Sequence, residues 1–111
     1  MKPLSINDTD FTEEVLNADE LVLVYFWTPR SQTCRTISSI LDSIGNQFDR
    51  EVKIVKVDIE LNKQAATDFG VGWIPQILFF AGGRIVDREL TVSFSEEEMI
   101  ERIQRLLSVQ V

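Results

Sequence analysis

Apolar residues are arranged along the chain in two patterns, short runs typical of strands and spacings of three or four residues typical of helices. The run Leu21–Trp27 is almost continuously apolar. Such a run is typical of a central strand whose two faces are both covered by helices. A helix is predicted after it from apolar residues at helical spacing, which are Cys34, Ile37, Leu41, Ile44 and Phe48.

Shorter patterns flank this central pair of elements. Leu4–Ile6 is predicted to be a short strand, and Asp8 or Thr9 is expected to cap a short acidic helix after it. Residues 53–58 alternate between apolar and polar side chains, as strands do. Residues 61–69 fit a short helix that Gly70 ends.

The C-terminal part of the sequence predicts a hairpin and a last helix. Residues 76–81 and 84–90 are the predicted strands, joined by a tight turn at Gly82–Gly83. Ser95 precedes three glutamates, which together form a capping box at the positive end of a helix dipole. The order β-α-β-α-β-α-β-β-α predicts a single α/β domain, residues 1–111, with a central mixed sheet flanked by helices on both faces.

The composition excludes several classes of function. A chain of 111 residues with 44% hydrophobic content is sufficient for one core. No apolar run approaches the roughly 20 residues of a membrane span, and the N-terminal residues contain no apolar segment typical of a secretion signal. The net charge of −7 argues against nucleic acid or an anionic membrane as a partner. Because histidine is absent, neither a metal site nor a cofactor is predicted.

Cys34 is the only cysteine of the chain. A disulfide framework is therefore excluded, and a reducing, cytoplasmic location is expected. The same count excludes a thiol–disulfide cycle within one chain, since a second thiol is needed to release the mixed disulfide.

Four segments resemble the thioredoxin family. Phe26–Arg35 contains a Phe-Trp pair, then a cysteine and a basic residue, at the positions of the family's central strand end and of its second active-site cysteine. Gly72–Gln76 is similar to the loop that holds the family's cis-proline, with Pro75 at that position. Residues 56–58 and Gly82–Gly83 match the third strand and the last hairpin. The resemblance covers nearly the whole chain and implies a thioredoxin-like fold.

The departures from the family pattern surround one site. Ser31 stands where the resemblance places the attacking cysteine, so the motif is Ser31-Gln32-Thr33-Cys34. Tyr25 occupies the place of the buried aspartate that the resemblance associates with proton transfer from the second cysteine. The other replacements are Arg30 for the active-site tryptophan, Thr33 for the active-site proline, Trp73 for a small residue and Thr91 for a groove glycine. Together they predict a change of function around this site.

Ser31 and Cys34 each have a structural and a chemical interpretation. A serine alcohol cannot replace a thiolate as the attacking group, whereas serine is a favoured helix N-cap worth about 1 kcal/mol. For Cys34, the helix dipole with Arg30 and Arg35 favours a reactive thiolate. Its place in the apolar stripe favours a buried, unreactive side chain. The buried interpretation is preferred, and the reactive one stays open.

The remaining candidate residues concern binding. Arg30 and Arg35 are either solvated surface residues or a basic rim suited to an acidic peptide or to the carboxylates of glutathione. Trp27 is expected to pack in the core. The resemblance places Trp73, Ile74 and Pro75 beside a groove in which an extended peptide adds to the Ile74 backbone, with Trp73 as an anchor if it is exposed.

Two functions follow from these residues. The first is a thioredoxin-like protein without dithiol turnover that binds a protein or peptide partner, as an adaptor or assembly factor. The second is a monothiol oxidoreductase or redox carrier in which Cys34 reacts and glutathione or a partner's cysteine releases it. Exposure of Cys34 distinguishes them.

Overall fold

The computed structural model describes residues 3–48, 51–89 and 94–109. Its strands are β1 (Leu4–Ser5), β2 (Leu21–Trp27), β3 (Val52–Asp58), β4 (Gln76–Ala81) and β5 (Arg84–Glu89). They form one mixed sheet in the order β1-β3-β2-β4-β5. The helices are α1 (Gln32–Gln47), α2 (Lys63–Asp68) and α3 (Glu96–Val109). The predicted α/β class with a mixed sheet flanked by helices is confirmed.

Strand β2 occupies the centre of the sheet, as its apolar run predicts. It pairs in parallel with β3, with Leu21 opposite Val52, and antiparallel with β4, with Val22 opposite Phe80. Its side chains point alternately to two apolar layers, one on each face of the sheet. Burial on both faces explains why nearly every position of this strand is apolar.

Each face of the sheet is covered by a different set of elements. The first layer packs α1 and α3 on one face through residues such as Leu41, Ile44 and Ile103, all with 0% exposure. The second layer packs the N-terminal segment and α2 on the other face through Phe11, Val15 and Ala65. Within the described ranges, no helix is both long enough and apolar enough to cross a bilayer.

The N-terminal segment differs from the prediction. It forms a 3₁₀ turn at Asp8–Asp10 and a π-helical turn at Thr12–Leu16, not one α-helix capped by Asp8 or Thr9. The carboxylate of Asp8 instead accepts hydrogen bonds from the amides of Gln64 (3.2 Å) and Ala65 (3.1 Å). Asp8 therefore caps α2, a helix more than fifty positions away in sequence.

Helix α2 is shorter than predicted. It begins at Lys63 and not at Leu61, because Leu61 and Asn62 belong to a turn whose amides donate to the Asp58 carbonyl. Leu61 is 79% exposed, so its place in the predicted apolar pattern was misleading. Gly70, with φ of 68°, follows the helix end as predicted.

The C-terminal hairpin and helix start agree with the sequence pattern. Gly82 and Gly83 have φ of 59° and 79°, which favours glycine at both turn positions. The Ser95 hydroxyl accepts from the Glu98 amide at 3.1 Å, and the Glu98 carboxylate accepts from the Ser95 amide at 3.0 Å, so the capping box is present. The predicted strand end at Leu90 and the groove position Thr91 lie outside the described residues.

Candidate functional site

Three chain segments meet at one edge of the sheet. In the pairing register, Trp27 lies opposite Asp58 at the end of β3, and Phe26 lies opposite Gln76 at the start of β4. The turn after β2, the turn after β3 and the loop before β4 are therefore neighbours. The turn after β2 contains Arg30 and Ser31, the loop before β4 contains Trp73, Ile74 and Pro75, and Cys34 and Arg35 follow in the first turn of α1.

Ser31 starts helix α1. Its backbone is extended, with φ of −95° and ψ of 124°, and its Oγ accepts a hydrogen bond from the Cys34 amide at 3.2 Å. This geometry is that of an N-cap, and it satisfies one of the amides that a helix start leaves without a partner. The structural interpretation of Ser31 is confirmed.

Cys34 has 0% exposure and packs in the core layer under α1. The Tyr25 hydroxyl donates a hydrogen bond to the Cys34 carbonyl oxygen at 2.7 Å, which ties the first turn of α1 to β2. The burial agrees with the preferred interpretation of Cys34 as a core residue. A thiol in this position cannot meet another protein's disulfide while the first turn of α1 is closed.

Tyr25 cannot act as a base toward the thiol. Burial raises the pKa of its hydroxyl well above the ordinary range, and the adjacent Cys34 raises the pKa further, against a smaller lowering by Ser38. The phenol is therefore neutral at physiological pH and acts as a hydrogen-bond donor. A carboxylate at the same position would accept a proton, so this replacement removes a proton acceptor from beside Cys34.

Glu60 holds the turn that precedes α1. Its carboxylate accepts a hydrogen bond from the Thr28 hydroxyl at 2.8 Å and forms an ion pair with Arg30 Nε at 2.9 Å. The Arg30 side chain is nonetheless 85% exposed. Arg35 donates weakly to the Pro29 carbonyl at 3.4 Å. The predicted basic rim is thus present, but one of its two charges is paired.

Trp27 packs between the site and the core, as predicted. Its ring stacks on Tyr25 at 6.4 Å between centroids, with 18° between the planes. The Lys56 ammonium lies 4.4 Å from the centroid of the Trp27 ring, in a cation–π contact. Neither Glu60 nor Lys56 was marked as a site residue from the sequence, because their contacts join distant parts of the chain.

The loop before β4 places a tryptophan at the surface. The Ile74–Pro75 peptide bond is cis, Pro75 is buried and Ile74 is half-buried. Trp73 is 55% exposed. The Gln76 side chain, only 2% exposed, donates from Nε2 to the Trp73 carbonyl at 3.0 Å. Gln76 was not marked as a site residue from the sequence, yet it holds the backbone of Trp73 in place.

The sheet order, the strand-to-helix turn and the loop around Pro75 define an α/β protein of thioredoxin-like fold. The thioredoxin family model matches residues 2–105. Thioredoxin 1 of Nostoc sp. is 39% identical over 82 residues, covering 74% of this chain and 77% of the relative. Thioredoxin of Griffithsia pacifica is 41% identical over 80 residues, covering 72% and 73%, and thioredoxin of Haemophilus influenzae is 39% identical over 83 residues, covering 75% and 78%. The chain belongs to the thioredoxin family.

Proposed function

We propose that this thioredoxin-family protein does not reduce disulfides by a dithiol cycle and instead binds an extended segment of a protein partner, as an adaptor or assembly factor. One contrast carries the proposal: the only thiol, Cys34, has 0% exposure, whereas Trp73 in the neighbouring loop is 55% exposed. Ser31 stands at the position of the family's attacking cysteine, and Cys34, at the position of the second cysteine, is buried. The aromatic side chain of Trp73, in contrast, is exposed.

The chemical half of the proposal follows from the groups around Cys34. A dithiol cycle needs an exposed thiolate to attack a disulfide and a second thiol to release it. Here Ser31 occupies the attacking position, and its Oγ accepts a hydrogen bond from the Cys34 amide. The adjacent Tyr25 is neutral and donates to backbone. None of these groups supplies the missing thiolate or removes a proton from Cys34.

The binding half of the proposal rests on the loop before β4. Tryptophan is among the residues that contribute most binding energy at protein interfaces. Gln76 holds the Trp73 carbonyl, so the backbone of this loop loses little freedom on binding a partner. An extended segment that adds to the Ile74 backbone needs no catalytic group. Such a partner, in the cytoplasm or another reducing compartment, suits a chain with one cysteine.

The first test is alkylation of Cys34 followed by mass spectrometry. We expect no labelling of the folded protein and complete labelling after unfolding, because the thiol becomes accessible only when α1 opens. The Ser31→Cys variant is the matched control, since it adds a thiol at a part-exposed position of the same helix start. Fast labelling of native Cys34 would contradict the proposal.

The second test is selection of peptides from a random library against the folded protein. Enriched peptides should lose binding to Trp73→Ala and keep binding to Cys34→Ala. The opposite dependence would place recognition at the thiol and not at the loop.

An insulin reduction assay with a thioredoxin reductase should show no turnover by the native chain.

The relatives' names support a second candidate function, because they are thioredoxins. In this alternative the Cys34 thiolate attacks a disulfide, forms a mixed disulfide and releases one thiol of the substrate. Two glutathione molecules then release the second substrate thiol and Cys34 in turn, and together they become glutathione disulfide. The first turn of α1 must open for this reaction. A glutathione adduct on Cys34 of the folded protein in mildly oxidising buffer would favour the monothiol function over the adaptor.

A further inference from the structure

A cavity of about 180 Å³ lies at the same sheet edge, beside the β1 and β3 strands. Its lining comes from the segment after β1, from the ends of β2 and β3 and from the turn before α2. The residues are Ser5, Ile6, Asn7, Trp27, Lys56, Asp58, Leu61 and Asn62. No role has been assigned above to this cavity.

Lys56 carries the positive charge of the lining. Its ammonium contacts the Trp27 ring, and the ion pairs found between described residues involve Arg30, Lys53 and Arg102 but not Lys56. The nearby carboxylate of Glu60 is already engaged by Thr28 and Arg30. The lining therefore offers a cationic hydrogen-bond donor to a ligand with an anionic acceptor.

Two polar side chains of the lining, Asn62 and Asp58, are already hydrogen-bonded. Asn62 is 7% exposed, accepts from the Asp8 amide at 3.1 Å and donates to the Asp58 carbonyl at 3.2 Å. The Asp58 carboxylate accepts from the Glu60 amide at 2.9 Å. Asn62 therefore forms a fixed wall, and Asp58 offsets part of the positive charge of Lys56.

We propose that this cavity binds a carboxylate, with its oxygens accepting hydrogen bonds from the Lys56 ammonium beside the Trp27 ring. The volume accommodates a carboxylate on a short aliphatic stem, and exposed Leu61 at the rim offers a contact for that stem. The ligand is either a free short-chain carboxylate or an acidic side chain of a bound protein. The site does not depend on the peptide groove proposed above, so either can fail without the other.

The indole resonances of the two tryptophans provide a direct assay, since the chain has only Trp27 and Trp73. A Trp73→Phe variant assigns them in a ¹⁵N–¹H spectrum. Propionate and its neutral isostere propionamide are titrated at constant ionic strength. We expect propionate to shift the Trp27 indole resonance saturably while the Trp73 resonance stays in place as an internal control, and propionamide to shift the Trp27 resonance much less.

Charge variants test the assignment in both directions. Lys56→Met keeps an aliphatic chain over Trp27 and should weaken propionate binding by roughly two- to fivefold, and Asp58→Asn should tighten it by a similar factor, as expected for a part-exposed ion pair. The unchanged Trp73 resonance checks the folding of each variant. If Lys56→Met fails to fold, the affinity change in Asp58→Asn still decides.

The proposal is overturned by the absence of a saturable Trp27 shift, by an equal response to propionamide, or by an affinity that neither charge variant changes. Two blocked tripeptides, Ala-Glu-Ala and Ala-Gln-Ala, then distinguish the source of the carboxylate. Tighter binding of the glutamate peptide than of propionate indicates a protein partner. Equal affinities indicate a free short-chain carboxylate, and binding of the glutamine peptide as tight as that of the glutamate peptide contradicts the proposal.

Discussion

Replacing Tyr25 by phenylalanine removes one buried oxygen and leaves the ring in place. In the native protein this oxygen donates to the Cys34 carbonyl at 2.7 Å. The carbonyl lies within α1, so it keeps the helical amide one turn later as a partner. We therefore expect Tyr25→Phe to lower the free energy of unfolding near neutral pH by about 1 kcal/mol, the usual net value of one hydrogen bond.

The same substitution should have the opposite effect at alkaline pH. The folded state raises the pKa of Tyr25 above its ordinary value of 10.0, chiefly through burial. The unfolded chain then releases a proton that the folded chain keeps, so the stability contributed by this group is fully present below about pH 10 and is lost as the pH rises above it. Above pH 10 the free energy of unfolding that Tyr25 contributes falls by about 1.4 kcal/mol per pH unit. The native protein should therefore be as stable as Tyr25→Phe between about pH 10.5 and 11, and less stable at higher pH.

Denaturant unfolding of the two proteins across this range measures the difference, in which the titration of all shared groups cancels. Because Tyr25 is the only tyrosine of the chain, the near-ultraviolet absorbance of phenolate reports its ionisation alone. Phenolate should appear only together with unfolding. A stability difference that stays constant up to pH 11, or phenolate formation in the folded protein at its ordinary pH, would refute the reasoning.

Five further substitutions, at three positions, test other parts of the structure. Ser31→Ala should lower the free energy of unfolding by about 1 kcal/mol, because the N-cap oxygen is lost. Ser31→Gly should lower it by only a few tenths of a kcal/mol, because glycine tolerates the cap backbone. Denaturant unfolding measures both values, and equal losses would argue against the cap. Ser31→Cys should gain weak insulin reductase activity, and no gain would mean that Arg30, Thr33 or Tyr25 has altered the site as well. Ile103→Ala, at a position with 0% exposure, should cost about 2–5 kcal/mol, whereas Val109→Ala, at 76% exposure, should change stability by less than about 0.5 kcal/mol. Similar costs for these two would place α3 differently on the sheet.

The sequence was informative where structure is determined by neighbours along the chain. The apolar run of β2, the glycines at the hairpin turn and the Ser95 capping box each depend on a few adjacent residues, and each was predicted correctly. The N-cap at Ser31 belongs to the same group. In all of these cases the backbone geometry and the residue preference concern the same short segment.

The sequence was less informative where two distant segments share one hydrogen bond. Asp8 was assigned to its own helix and caps α2 instead. Glu60 and Gln76 position Arg30 and Trp73, yet nothing in their own neighbourhoods indicates these partners. Side chains of this kind can be paired only when the sheet register is known, because the register decides which turns are adjacent.

The bond from Asp8 to α2 links the earliest residues of the chain to a helix synthesised much later. A helix of six residues is too short to persist by its own hydrogen bonds. Its stability therefore depends on the docked N-terminal segment, whose carboxylate completes its first turn and whose Phe11 ring packs 5.2 Å from that of Phe69. The N-terminal turn and α2 thus form one cooperative unit, and their backbone amides should exchange with solvent hydrogen through a common opening event.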